Sequence, residues 1–159
     1  MTGARQAPLL LFAVSGSLLL GALGFQYLGG LPPCEMCFWQ RYAHLAVLAL
    51  SGLAFVLGNR ALGWLAVLAM LAAAGLGLFH AGVEQKWWQG VTACTAPVAS
   101  GMSTADMMDA FLNAPLTRCD QIPWSLFGLS MAGWNALISA GAALCAAAVL
   151  IFTAKRKAR

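Results

Sequence analysis

Four apolar runs decide most of what this chain can become. They lie near Pro8–Leu28, Tyr42–Gly58, Ala61–His80 and Leu129–Phe152, and each approaches the roughly 20 helical residues needed to cross a hydrocarbon core about 30 Å thick. Inside a bilayer the backbone must satisfy its own hydrogen bonds, so runs of this length become helices. Composition agrees. Apolar residues make up 61% of the 159 positions and charged residues 9%, far from the roughly 45–50% and 25% of soluble domains. This length leaves no room for a second large domain. The expectation is an all-α membrane protein, a single four-helix transmembrane domain over residues 1–159, with loops at about 29–41 and 81–128. Arg5 precedes the first run as in a signal peptide, but the run outlasts a usual apolar region of about 7–15 residues and reads as a retained anchor.

The charges orient the bundle. With both termini in the cytoplasm, Arg5, Arg60, Lys155, Arg156, Lys157 and Arg159 lie inside, six of the nine basic residues. Lys86 and Arg118 then lie outside and Arg41 at the outer border, which satisfies the cytoplasmic bias of Lys and Arg. The net charge of +4 is thus a topology signal, not a nucleic-acid surface. The same orientation puts Cys34, Cys37, Cys94 and Cys119 on the outer face and leaves only Cys145 in a span. Disulfides persist outside the cytoplasmic membrane of a bacterium, so two pairs of exposed cysteines read as disulfides first and metal ligands second. The hairpin of the second and third spans returns the chain to the same face, so the two pairs can meet.

Chemistry concentrates in Leu31-Pro32-Pro33-Cys34-Glu35-Met36-Cys37-Phe38-Trp39-Gln40-Arg41. A CxxC forms and breaks a disulfide, and Arg41, four residues after Cys37, shares its face if a helix starts here. A c-type haem site requires CxxCH, and Phe38 occupies the His position. A four-cysteine zinc site would want a second close pair, whereas Cys94 and Cys119 are widely spaced. In the second loop, Val83 to Trp88 mixes charge and tryptophan as headgroup-region segments do. Gly90 to Gly101, with Cys94 and Pro97, has turn character. Ser103-Thr104-Ala105-Asp106 resembles a capping box, and Met107, Met108, Phe111 and Leu112 follow at helical spacing, which predicts a short amphipathic helix. A surface loop stapled by one structural disulfide is the plainer reading of that segment.

Together, Phe25-Gln26-Tyr27, the Pro-Cys-Glu-Met-Cys motif with Gln40-Arg41, the pair Cys94/Cys119, and Trp124 to Trp134 with Phe127-Gly128-Leu129 resemble the DsbB family of quinone-dependent disulfide oxidases over nearly the whole chain. The resemblance implies a protein-disulfide oxidoreductase in the bacterial inner membrane with its redox loops in the periplasm. By the same resemblance, a soluble thioredoxin-fold oxidase of the DsbA type would attack Cys94, Cys119 would pass electrons to Cys34, and Cys37 would face ubiquinone or menaquinone. A place in the first helical turn and the charge of Arg41 both favour thiolate at Cys37. Arg41 and His80 become candidate cofactor-binding residues, and no metal is expected. The competing readings are a membrane scaffold with structural disulfides and an oxidoreductase like vitamin K epoxide reductase, in which the cysteine pairs follow a different order.

Several residues also have plainer readings. Arg41 can be a snorkelling charge and His80 a polar cap at the interface. His44 reads as packing or hydrogen bonding, Gln26 as interhelical glue, and Gly141 with Cys145 as a small-residue pattern permitting close helix approach. Glu35 places a carboxylate against a neighbouring thiolate, and Gln40 stands where some family members carry an acid.

Overall fold

The computed structural model describes residues 3–92, 103–104, 108 and 117–157, with only the backbone of residues 3, 4 and 157. Cys94 and residues 105–107 and 109–112 of the expected amphipathic segment lie outside the described residues. Four helices dominate: α1 (Gly3–Tyr27), α2 (Glu35–Leu57), α3 (Arg60–Glu84) and α4 (Met131–Lys157). All four are long and apolar enough to cross a membrane. They pack as a ring in chain order, α4 closing against α1, and α1 also touches α3 across the middle.

The core is narrow and built from small residues. Leu11, Val47, Met70 and Leu150 are fully buried between Ala66, Ala143 and Ala146, so the backbones approach closely. Large side chains such as Leu20, Leu68, Leu144 and Phe152 point outward, as expected where the solvent is lipid and burial brings no hydrophobic gain. Close approach occurs at Gly77 rather than at the anticipated Gly141. A Cβ on Gly77 would stand 2.9 Å from Ala136 N and 3.0 Å from Ala132 O, whereas Gly141 has nothing within 4 Å.

Helix ends follow local chemistry. Gly30 turns the chain with φ 66° after α1, and Cys34 then caps α2 by accepting the Cys37 N–H on its sulfur. The cap starts α2 at Glu35, well inside the expected first loop of 29–41 and before the span boundary at 42. Gly58 ends α2 in the left-handed region, and Asn59 caps α3 by accepting from Ala61 N and Leu62 N. This tight corner suits two antiparallel helices. α3 runs past the expected boundary at His80 to Glu84, and Trp88 folds back over Gly82 to donate from Nε1 to Phe79 O at 3.0 Å.

The chain re-enters the bundle through a small hairpin that the sequence reading did not contain. β1 (Ser125–Leu126) pairs antiparallel with β2 (Leu129–Ser130). Its two-residue turn has positive φ at both Phe127 (52°) and Gly128 (79°), the signature of a type I′ turn. Lys86, at the end of α3, donates to Asp120 Oδ2 at 2.7 Å, and Arg118 grips the same carboxylate with Nη2 at 2.8 Å. Those bonds hold the Asp120 carboxyl well below the usual carboxylate range, the Arg118 hydrogen bond contributing most. The loop end bearing Cys119 is thereby tied to the top of α3.

Candidate active site

The N-terminus of α2 delivers the CxxC to a pocket between the four helices. Cys34 and Cys37 are both free thiols, with Sγ atoms 2.9 Å apart. Cys34 is buried and Cys37 half-buried. Burial and the Cys37 sulfur beside it push the Cys34 thiol up, the Cys37 contact being the larger cause and outweighing the backbone amides that favour its thiolate. Cys34 also packs with Met36, Val83 and Cys119 in one buried cluster. Cys119 is disulfide-bonded and fully buried. The expectation of exposed cysteines is therefore corrected for Cys34 and Cys119, because the loop end folds onto α2 and α3. Cys145 is exposed on the outside of α4, away from this cluster.

Cys37, Arg41 and His80 share the wall of a cavity of about 440 Å³. Its surface is predominantly apolar, with Leu18, Phe25 and Trp124 among its lining residues. Arg41 enters from α2. Its Nη1 donates to Gln26 Oε1 at 2.6 Å and its Nη2 to Ala22 O at 3.2 Å, and its guanidinium lies 5.5 Å from the Phe38 ring centre. Gln26 thus acts as helix glue that fixes the cation at the cavity edge. Glu35, exposed on α2, faces away from the buried sulfur.

Beside the cavity runs a buried hydrogen-bond chain through all four helices, and its polarity follows from one unambiguous acceptor. The Met36 carbonyl can only accept, so the group facing it at 3.3 Å is the Gln40 amide nitrogen. The same nitrogen donates to His80 Nδ1 at 2.8 Å. Gln40 Oε1 must then accept from Asn135 Nδ2 at 2.7 Å, which leaves Asn135 Oδ1 to accept from His44 Nε2 at 2.8 Å and from Ser139 Oγ at 3.1 Å. His44 Nδ1 lies 2.7 Å from Ser15 Oγ, whose hydroxyl also reaches the His44 carbonyl at 3.1 Å, so Ser15 ties α1 into the chain. With Nδ1 occupied by a donor, neutral His80 carries its proton on Nε2, which lies 3.7 Å from Cys34 Sγ. The ring is thus locked in the tautomer that presents N–H to the Cys34 sulfur and the neighbouring Cys119 carbonyl.

Cys34, Cys37 and His80 place their ligand atoms within 4.8 Å of one another, close enough to suggest a metal centre. Two features oppose that use. Thiolates sharing a zinc ion stand about 3.7 Å apart, given Zn–S bonds of about 2.3 Å, and these sulfurs are nearer, at 2.9 Å. His80 Nε2 would also have to surrender the proton that the Gln40 donor assigns to it. The pair is arranged for sulfur–sulfur chemistry.

Of the residues the sequence singled out, Cys34, Cys37, Cys119, Arg41 and His80 gather at this end of the bundle, and Cys94 lies outside the described residues. The sequence reading missed Asn135, Ser15, Ser139 and Glu84. Their signal was present: a polar side chain inside an apolar span needs a partner.

Comparison with known proteins supplies an independent line. A family model described as Disulfide bond formation protein DsbB matches residues 4–149. The chain is similar to Disulfide bond formation protein B of Marinobacter nauticus, 34% identical over 141 residues and 80% of each chain. The corresponding protein of Acidovorax sp. is 31% identical over 147 residues, covering 84% of this chain and 80% of that one. The one from Verminephrobacter eiseniae is 36% identical over 134 residues, 76% of this chain and 71% of that one.

Proposed function

Since the chain belongs to the DsbB family and is a disulfide-forming, multi-pass membrane oxidoreductase, we propose that it oxidises a periplasmic DsbA-type partner and passes the electrons to membrane quinone. In this reading the protein sits in the bacterial inner membrane with both termini cytoplasmic. The observation that carries it is the CxxC pair, 2.9 Å apart, lying between a predominantly apolar 440 Å³ cavity and the buried, disulfide-bonded Cys119.

The sulfur steps follow from thiol–disulfide exchange, in which a thiolate forms one S–S bond as another breaks. A partner thiolate attacks Cys94 of a Cys94–Cys119 disulfide and releases Cys119. Cys119 attacks Cys34 of the oxidised CxxC, forming Cys119–Cys34 and releasing Cys37 as thiolate. The partner's second thiol then frees Cys94, which attacks Cys119, restores the loop disulfide and releases Cys34. Two electrons now reside on the CxxC, with Cys34 and Cys37 as thiols beside the restored loop disulfide. The shared burial of Cys34 and Cys119 supports the middle step.

The cavity suits a quinone ring in size and lining, since pockets for such ligands run about 300–1,000 Å³ with few polar groups. Cys37, Arg41 and His80 would hold it. When bound, a quinone accepts two electrons and two protons. Arg41, clamped by Gln26 and the Ala22 carbonyl, presents a fixed positive charge where negative charge develops. His80 Nε2–H stabilises a Cys34 thiolate as it leaves.

The test is purified protein mixed with a quinone and a reduced thioredoxin-fold oxidase, with quinone absorbance and partner thiols followed together. Loss of quinone absorbance in step with partner oxidation is expected. Partner oxidation without quinone consumption would overturn the acceptor, and inertness toward the partner would identify a scaffold.

A further inference from the structure

One buried acid has no task in these steps. Glu84 closes α3 with its side chain 3% exposed, and Oε1 lies 3.9 Å from His80 Nε2. Its other oxygen, Oε2, is buried with no hydrogen-bond partner among the described residues. Orphaned buried carboxyl oxygens are rare because they are costly, so a native one calls for a functional account. Glu84 lines the same cavity as Cys37 and Arg41, and it is the only acid among the described residues that do.

The neighbours define what this carboxyl can exchange with. His80 faces it from its own helix. The Ser130 hydroxyl lies beside it from β2, with Ser130 Oγ already accepting the Gly133 N–H, so that its proton is free to turn toward the carboxyl. α2 contributes Cys37 and Arg41 to the shared wall and the loop contributes Arg118, while α4 offers uncharged Asn135 and α1 no titratable group. Arginine cannot give up a proton. The two nitrogens of His44 are fully engaged, and His80 Nδ1 is held as an acceptor.

We propose that Glu84 is the proton carrier of the cavity, handing protons released by the Cys34–Cys37 pair to the quinone, with His80 as the positioning residue between sulfur and carboxyl. This rests on the reading of the cavity as a quinone site. The stoichiometry closes: closing the Cys34–Cys37 disulfide releases two electrons and two protons, and conversion of quinone to quinol consumes the same numbers. Protonated Glu84 gives its proton into the cavity and becomes a carboxylate. A proton leaving the thiol pair reloads it, and the exchange repeats once for the second. Held within 4 Å of both Cys34 Sγ and Glu84 Oε1, His80 Nε2–H keeps the two groups in register.

Glu84→Gln removes the titrating group at nearly constant shape, and Glu84→Asp restores it on a shorter stem. Infrared difference spectra of purified protein, reduced minus oxidised at the CxxC, are expected to show a protonated-carboxyl band that Glu84→Gln lacks and Glu84→Asp retains, shifted. In parallel, quinone reduction by Glu84→Gln should fall about 100-fold, the usual scale of a lost proton-transfer group, with partial recovery in Glu84→Asp. Wild type that oxidises the partner but never consumes quinone sinks the acceptor reading. Wild type that does consume quinone, matched by Glu84→Gln in rate, pH profile and infrared spectrum, overturns the role of Glu84 alone.

Discussion

Cys34 caps a helix with its sulfur, and in the proposed relay the same atom exchanges disulfides. Its Sγ accepts the Cys37 N–H at 3.3 Å and faces His80 Nε2, while burial and the Cys37 sulfur hold its proton on. A thiol whose proton is held this way reacts as thiolate only at pH above the ordinary value of about 8.5. In the fully reduced protein, iodoacetamide should therefore label Cys37 well before Cys34 at pH 8, and Cys34 should gain reactivity only at more alkaline pH. Quantitative mass spectrometry reads the order; Cys34 labelling first would contradict the geometry. In denatured protein the two should titrate alike. Asn135 carries the matching prediction for the polar chain. Removing it orphans Gln40 Oε1 and His44 Nε2 together, whereas removing Ser139 takes away one of two donors to Asn135 Oδ1. Interhelical hydrogen bonds in membranes are each worth roughly 0.6 kcal/mol, up to about 2. Asn135→Leu should thus cost about 1–2 kcal/mol in detergent unfolding and Ser139→Ala less than about 0.6. Equal costs would mean that the chain is not continuous.

At the scale of elements, the α3–α4 contact governs how Asn135 reaches Gln40. The pair meets where Gly77 lies against the α4 backbone, and a Cβ there would also stand 3.0 Å from Asn135 Nδ2. Backbone atoms cannot swing aside, so Gly77→Ala must push the helices apart at a cost of about 1–3 kcal/mol. Gly141→Ala, with open space around it, should be neutral or slightly stabilising through helix propensity. Thermal unfolding of the two variants measures the contrast, and a destabilised Gly141→Ala with a tolerated Gly77→Ala would reverse the assigned contact. The β1–β2 hairpin adds to α4 from the other side: Trp134 Nε1 donates to Leu126 O at 3.1 Å, anchoring the short connection that leads from Cys119 into the last helix.

Across the whole molecule, burial sorts the cysteines by access. Cys119 is 0% exposed and Cys34 4%, Cys37 lines the interior cavity, and Cys145 lies on the outside of α4. A bulky soluble partner cannot reach a sulfur inside the bundle, which agrees with the proposed relay, in which the partner attacks Cys94. A partner oxidase whose resolving cysteine is replaced by alanine should stall as a covalent complex, because the mixed disulfide lacks the thiol that resolves it. The complex is expected at Cys94, to vanish in Cys94→Ser, and to survive Cys145→Ser. Mapping the linked peptide to Cys34 or Cys37 instead would require the electron path to be redrawn.

Run length and hydropathy are local properties, and a bilayer forces each run into a helix, which is why the number and order of the spans could be read from the chain. The CxxC with Arg41 one turn on was equally legible, because its spacing fixes a shared helix face. Partnerships between distant polar residues were not legible. Ser15 meets His44 across 29 positions, Gln40 meets His80 across 40 and Asn135 across 95. A polar residue in an apolar span announces that it needs a partner, but not which helix supplies it. Only the close α3–α4 packing at Gly77 and the folding of the loop end onto α3 decided that His80 faces Cys34, that Cys119 is buried beside it, and that Glu84 turns into the cavity rather than toward water.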